Sequence, residues 1–107
     1  MENQHEKITG YRDLTQQEID LMNRIKKKGG EILELHALLV AQIESRREAL
    51  EFTVSDSSAY HGHIVADCRA ELEVFRLAEP ERWAEIGKTH IQTGIMALVR
   101  AVEKPTV

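Results

Sequence analysis

The sequence predicts an all-α protein: an elongated antiparallel helical hairpin, kinked or broken near Pro80, that assembles into a symmetric helical oligomer. Three observations predict it. Aromatic residues make up 5% of the 107 residues and proline occurs twice, while Leu, Ile, Ala, Glu, Lys and Arg abound. That mix is poor in strand formers. Beyond Thr15 the apolar positions recur at alternating spacings of three and four, the stripe of a helix that buries one face. Finally, a helix from Thr15 to Phe52 spans roughly 55 Å, longer than the roughly 35 Å width of a compact domain of this length. Its apolar stripe therefore needs other subunits to cover it. The chain divides into an N-terminal arm, residues 1–14, and a single helical-hairpin domain, residues 15–104.

The first helix starts on a complete signal. Thr15 is the N-cap, and Glu18, three residues on, is placed to bond back to the cap's N–H. Leu14 and Ile19 stand where a hydrophobic staple clamps the incoming chain. The buried stripe reads Ile19, Met22, Ile25, Gly29, Ile32 or Leu33, His36, Leu39 or Val40, Ile43 and more weakly Leu50. Gly29 and Gly30 each cost about 1 kcal/mol against alanine in a helix interior. They mark either a kink or a place where another backbone or a ligand comes close, and their position after Lys26, Lys27 and Lys28 favours close approach.

A turn over Thr53 to Ser58 precedes a second helix from about Ala59 to Ala78, with Ile64, Cys68, Leu72, Phe75 and Val65 as candidates for its inner face. Glu79-Pro80 is a joint, since proline suits a first helical turn and disfavours helix in the residue before it. The third helix then runs from Pro80 to about Glu103, with an expected inner face of Trp83, Ile86 or Gly87, His90, Gly94, Ala97 or Leu98, and Ala101 or Val102. On that face His90 reads as a hydrogen-bonded core residue. Pro105 ends the helix.

The composition excludes several functions. A net charge of −4 argues against a general DNA or RNA binder, so any polyanion site is a local positive pocket on an acidic body. Residues 1–10 hold no apolar signal core, no apolar run approaches a membrane span, and the lone Cys68 fits a reducing cytosol. The expectation is a soluble intracellular protein. No Ser/His/Asp set or phosphate-binding glycine loop stands out, so no catalytic residue and no cofactor is assigned. His63 and Asp67 have the i,i+4 spacing of a metal pair, but no further suitable ligand lies nearby in sequence, and no metal site is expected. The carboxylates Glu44, Glu48, Glu51, Glu71 and Glu73 read as solvated surface charges.

What remains is Tyr11 on a capped arm and Lys26 on a rigid helix, an aromatic for a base and a cation for a phosphate. The three lysines also have a plain reading as a solvated helix face. From the residues alone, the reading stops at a small helical oligomer with one local basic site.

Two stretches carry a resemblance. One runs from Asn3 through Ile8-Thr9-Gly10-Tyr11-Arg12 and on through Leu21-Met22-Asn23-Arg24-Ile25-Lys26. The other runs from Arg82-Trp83 through Ile86-Gly87-Lys88-Thr89-His90-Ile91-Gln92-Thr93-Gly94 to Val102 and Pro105. Both resemble the phage anti-CBASS cyclic-nucleotide sponges, whose helical hairpin is shared with the anti-Thoeris sponges. The middle of the chain, roughly residues 31–79, shares only the helical pattern and is longer than in short members of that family.

The resemblance implies a homohexamer in the cytoplasm of the infected host. It would bind cyclic dinucleotides such as 3′,3′-cyclic GMP–AMP and cyclic trinucleotides such as cyclic tri-AMP without cleaving them. It places Tyr11 and Lys26 in the dinucleotide pocket, where Arg12 and Lys28 are further candidates, and leaves Lys88, Thr89 and Gln92 as candidates for the trinucleotide pocket. Tyr11 sits on an arm at most about 14 Å long before the cap. Lys26 lies roughly 16 Å along the helix. The two meet if the arm folds back or a neighbouring subunit supplies one of them. Two other readings stay open: a structural adaptor with no small ligand, and a phosphodiesterase acting on the same molecules.

Overall fold

The computed structural model describes residues 13–105, and every described regular element is helical. Helix α1 spans Gln16–Ser55, α2 spans Gly62–Ala78 and α3 spans Pro80–Glu103, with a short 3-10 turn at Ser57–Ala59 between α1 and α2.

The start of α1 is the capping box its sequence specifies. The Glu18 N–H donates to Thr15 Oγ1 at 3.1 Å, and the Thr15 N–H donates to Glu18 Oε1 at 2.9 Å. Leu14 and Ile19 are both half-buried beside it, as a staple requires. From there α1 runs unbroken for 40 residues, about 60 Å at 1.5 Å per residue. It continues three residues past the expected stop at Phe52, and the polar side chains expected in a turn there bond back onto the helix. Thr53 Oγ1 donates to the Ala49 carbonyl and Ser55 Oγ to the Phe52 carbonyl, each at 3.0 Å.

The inner stripe of α1 follows the expected one, with Leu33 and Val40 turned inward and Ile32 and Leu39 exposed. Met22, Gly29, His36, Ile43 and Leu50 recur every seven residues, each buried or half-buried. A repeat of seven is the register of helices wound as a coiled coil. Arg47, which the sequence reading passed over, fills the gap between Ile43 and Leu50. Its guanidinium lies 5.5 Å from the centre of the Phe75 ring and pairs with the Glu81 carboxylate.

Helix α2 starts later than expected. His61 has extended backbone at its N-cap (φ −65, ψ 147), so Tyr60 and His61 belong to the connection. Its inner face is Val65, Cys68, Leu72 and Phe75, a 3-4-3 spacing. Ile64, expected on this face, is instead 36% exposed, and Val65 is the buried residue at this end of the helix. Glu71 is not merely a solvated charge: it is half-buried and takes two hydrogen bonds from Arg46, at 2.7 and 2.8 Å. Those bonds hold the Glu71 carboxyl below its usual range and raise the Arg46 guanidinium.

The joint at Pro80 is a full break. Glu79 closes α2 in the left-handed region (φ 49), its N–H donating to the Phe75 carbonyl at 3.0 Å, and Pro80 is the first residue of α3. Left-handed backbone is costly for a residue with a Cβ, and the proline that disfavours helix in the residue before it gives the reason it occurs here. Lys104 (φ 50) ends α3 in the same way, its N–H donating to the Arg100 carbonyl at 2.8 Å before Pro105.

The inner face of α3 corrects the sequence reading. The expected Ile86, Gly87 and Val102 are half-buried, but the rest of the face is Ala84, Lys88, Ile91, Ile95 and Val99, whereas Trp83 is 60% exposed and His90, Gly94, Ala97, Leu98 and Ala101 also face outward. The face is rotated by about one residue, some 100° on a helix. His90 is therefore a surface residue.

The chain forms two compact units: one from the chain up to Glu34 and from Lys88 onward, the other from Leu35–Gly87. In the first, α1 and α3 run antiparallel, tied by Gly29 against Ile95 and by Lys104 Nζ donating to Glu18 Oε2 at 3.3 Å. In the second, Leu50, Val65 and Ala84 are buried, with Leu50 only 1% exposed.

Candidate functional site

The site is built on the seam between α1 and α3. A methyl placed on Gly29 would come within 2.7 Å of Ile95 Cγ1, so this glycine is present for close approach. Nothing lies within 4 Å of the equivalent point on Gly30, Gly87 or Gly94, which gives those glycines no packing role among the described residues. Ile95 rests on the bare backbone of α1, and a cleft opens on each side of it.

The larger cleft, about 520 Å³, is lined by Lys26 from α1 and by Thr93, Met96, Val99, Arg100 and Glu103 from α3. Its volume falls in the roughly 300–1,000 Å³ range of small-molecule sites. Thr93, Met96, Arg100 and Glu103 are spaced 3-4-3, so they form one strip of the α3 surface. Met96 is 72% exposed and offers a flexible apolar floor. Lys26 is exposed at the rim and pairs with no carboxylate among the described residues.

The smaller cleft, about 370 Å³, is lined by Leu21, Arg24, Ile25, Lys28, Ile32 and Leu98. Lys26 and Lys28 thus open onto different clefts, because two residues on a helix are turned about 200° apart. Lys28 Nζ is 3.3 Å from Glu31 Oε2.

Tyr11 and Arg12 lie outside the described residues. On α3, Lys88 is half-buried while Thr89 and Gln92 are exposed, and their spacing puts the three on neighbouring positions of one helical face. Arg100, Glu103 and Met96 were not singled out from the sequence. The available signal was the 3-4-3 strip they form with Thr93 opposite Lys26, but it shows only once the facing register of α1 and α3 is known. Among the described residues no group of three or more His, Cys, Asp or Glu side chains is placed to hold a metal, and no helix is long and apolar enough to cross a membrane.

Fold and clefts together define a class: a small α-helical hairpin protein with open, apolar-floored, cation-rimmed clefts along one helix seam. The chain belongs to the Acb2/Tad1 hairpin-domain family, whose model matches residues 4–103. It is 49% identical over 105 residues to "Anti-CBASS protein 2" of Pseudomonas phage JBD67, a match covering 98% of this chain and 97% of that protein.

Proposed function

We propose that this protein counters CBASS defence by sequestering cyclic di- and trinucleotide signals, such as 3′,3′-cyclic GMP–AMP and cyclic tri-AMP, without cleaving them, in the cytoplasm of the infected host. The relative's name gives the anti-CBASS role. The observation that carries the mechanism is the larger cleft, where Lys26 and Arg100 flank an apolar floor suited to a base. Stacking contributes roughly 1–3 kcal/mol per base, and each charge-assisted bond to a phosphate about 1.5–3 kcal/mol. For two bases and two phosphates these sum to about 5–12 kcal/mol before the cost of association, so tight binding needs further contacts from the arm and a second copy.

In this reading Tyr11 and Arg12 reach the ligand from the arm, and Lys28, on the opposite flank of α1, reaches it from a second copy. A hexamer supplies those copies. Large apolar side chains that a lone chain leaves in water, among them Leu35, Leu38, Leu77 and Trp83, support association. Lys88, Thr89 and Gln92 ring the phosphates of a cyclic trinucleotide at a second set of sites.

Calorimetric titration of 3′,3′-cyclic GMP–AMP into wild type and Lys26→Ala tests the pocket. Loss of about 1.5–3 kcal/mol, roughly ten- to a hundred-fold or more in affinity, is expected with assembly mass unchanged. Equal affinity in the two proteins would remove Lys26 from the site.

A further inference from the structure

One carboxylate in the larger cleft has no bonded partner among the described residues. Among the described residues four acidic side chains are half-buried: Glu18, Glu71, Glu81 and Glu103. Three of them are bonded to a cation, Glu18 to Lys104, Glu71 to Arg46 and Glu81 to Arg47. Glu103, which lines the cleft beside Arg100, has no hydrogen-bond or ion-pair partner among the described residues. Removing part of a charge's hydration without a partner is unfavourable. Glu103 is also the last residue of α3, where the helix dipole disfavours a negative charge. Both effects oppose a carboxylate at this position, and so does any phosphate drawn in by Lys26 and Arg100.

A group disfavoured by the fold and by the ligand's charge is accounted for if it reads another part of the ligand. An ionised carboxylate only accepts hydrogen bonds, through two oxygens side by side. Among nucleobase edges, guanine's Watson–Crick edge answers it with two adjacent donors, N1–H and the N2 amino group. Adenine sets a single amino donor beside the N1 lone pair, which faces the second oxygen repulsively. We infer that Glu103 is the base-reading residue of the Lys26 cleft and selects guanine over adenine in the bound cyclic nucleotide. The phosphate between Lys26 and Arg100 sets the ligand's register. Glu103, one turn beyond Arg100 on the same strip of α3, then takes the guanine edge by a bidentate charge-assisted pair. This rests on the sequestration reading and adds the base preference to it.

The test is the binding of cyclic di-GMP and cyclic di-AMP, measured separately, to wild type, Glu103→Gln and Lys26→Ala. Replacing Glu103 should leave folding intact, since the carboxylate has no partner among the described residues, and thermal unfolding of the variant checks this. The amide loses one of two acceptors and presents a donor to a donor, so affinity for cyclic di-GMP should fall about ten-fold or more. With a negative charge gone from a phosphate site, affinity for cyclic di-AMP should hold or rise. Opposite responses to the two ligands separate base reading from a structural effect, which would move both together. If both ligands shift alike, or neither shifts, or wild type prefers cyclic di-AMP, the inference is overturned while sequestration stands. If wild type binds neither, the inference is overturned, and the sequestration reading fails with it only where 3′,3′-cyclic GMP–AMP and cyclic tri-AMP also stay free.

Discussion

Gly29 lies against Ile95 so closely that a methyl at Gly29 would come within 2.7 Å of Ile95 Cγ1. Ile95 lines both clefts, so this contact sets the depth of each. Gly29→Ala should destabilise the protein by about 1–3 kcal/mol through overpacking. Gly30→Ala, one residue away in open space, should stabilise it by up to about 1 kcal/mol as a plain gain in helix propensity. Thermal unfolding of the two variants side by side checks this. Equal responses would mean that the seam has slack at Gly29.

His36 occupies the seven-residue register of α1, yet its Nε2 is buried with no hydrogen-bond partner among the described residues. His36→Leu removes an unsatisfied polar atom and should raise stability by about 1 kcal/mol. A loss of stability in denaturant melts would show that the nitrogen has a partner in the assembled protein.

Arg46 and Arg47 are adjacent but grip different helices, Arg46 holding Glu71 on α2 and Arg47 holding Glu81 on α3. The second pair is part-buried and its guanidinium also lies over Phe75. A double-mutant cycle on Arg47 and Glu81 should give a coupling of about 1–2 kcal/mol. The same cycle on Arg46 and Glu71 should give less, because solvent screens that pair. The reverse order would show that partial burial does not strengthen the Arg47–Glu81 pair.

Acid should weaken the Arg46–Glu71 pair in a defined direction. The Arg46 hydrogen bonds lower the folded Glu71 pKa from its ordinary 4.5, so their contribution is complete above that value and is lost as pH falls through the folded pKa. Glu71→Gln should therefore flatten part of the acid limb of stability against pH below 4.5 and leave the slope at neutral pH unchanged. Parallel acid limbs in the two proteins would remove this pair as a cause.

What the sequence made legible was local. Thr15 and Glu18 specify their own cap, Pro80 specifies the break before it, and the 3-4 rhythm from Ile19 to Leu50 has one polar flank to orient it. The face of α3 was misread because that helix is apolar on two sides. Its small residues Gly94, Ala97 and Ala101 resemble a packing face, while the bulkier Ile91, Ile95 and Val99 are the half-buried ones, Ile95 lying against Gly29. Arg47 was hidden by its charge, although the skipped step between Ile43 and Leu50 pointed to it. Of the residues that line the larger cleft, Lys26 could be singled out from the sequence as a cation presented on a rigid helix. Arg100 and Glu103 could not, since terminal helix charges have no address until a facing helix supplies one.

The central claim is capture without chemistry, and one measurement addresses it directly. Protein is mixed with 3′,3′-cyclic GMP–AMP and passed through a size-exclusion filter, and the retained fraction is heat-denatured, with nucleotide assayed by chromatography at both stages. A sponge retains the nucleotide with the protein and releases it chemically intact on denaturation. Linear or hydrolysed products would contradict the claim and make this an enzyme. Nucleotide that passes the filter free, for this ligand and for cyclic tri-AMP, would contradict it equally and leave an adaptor.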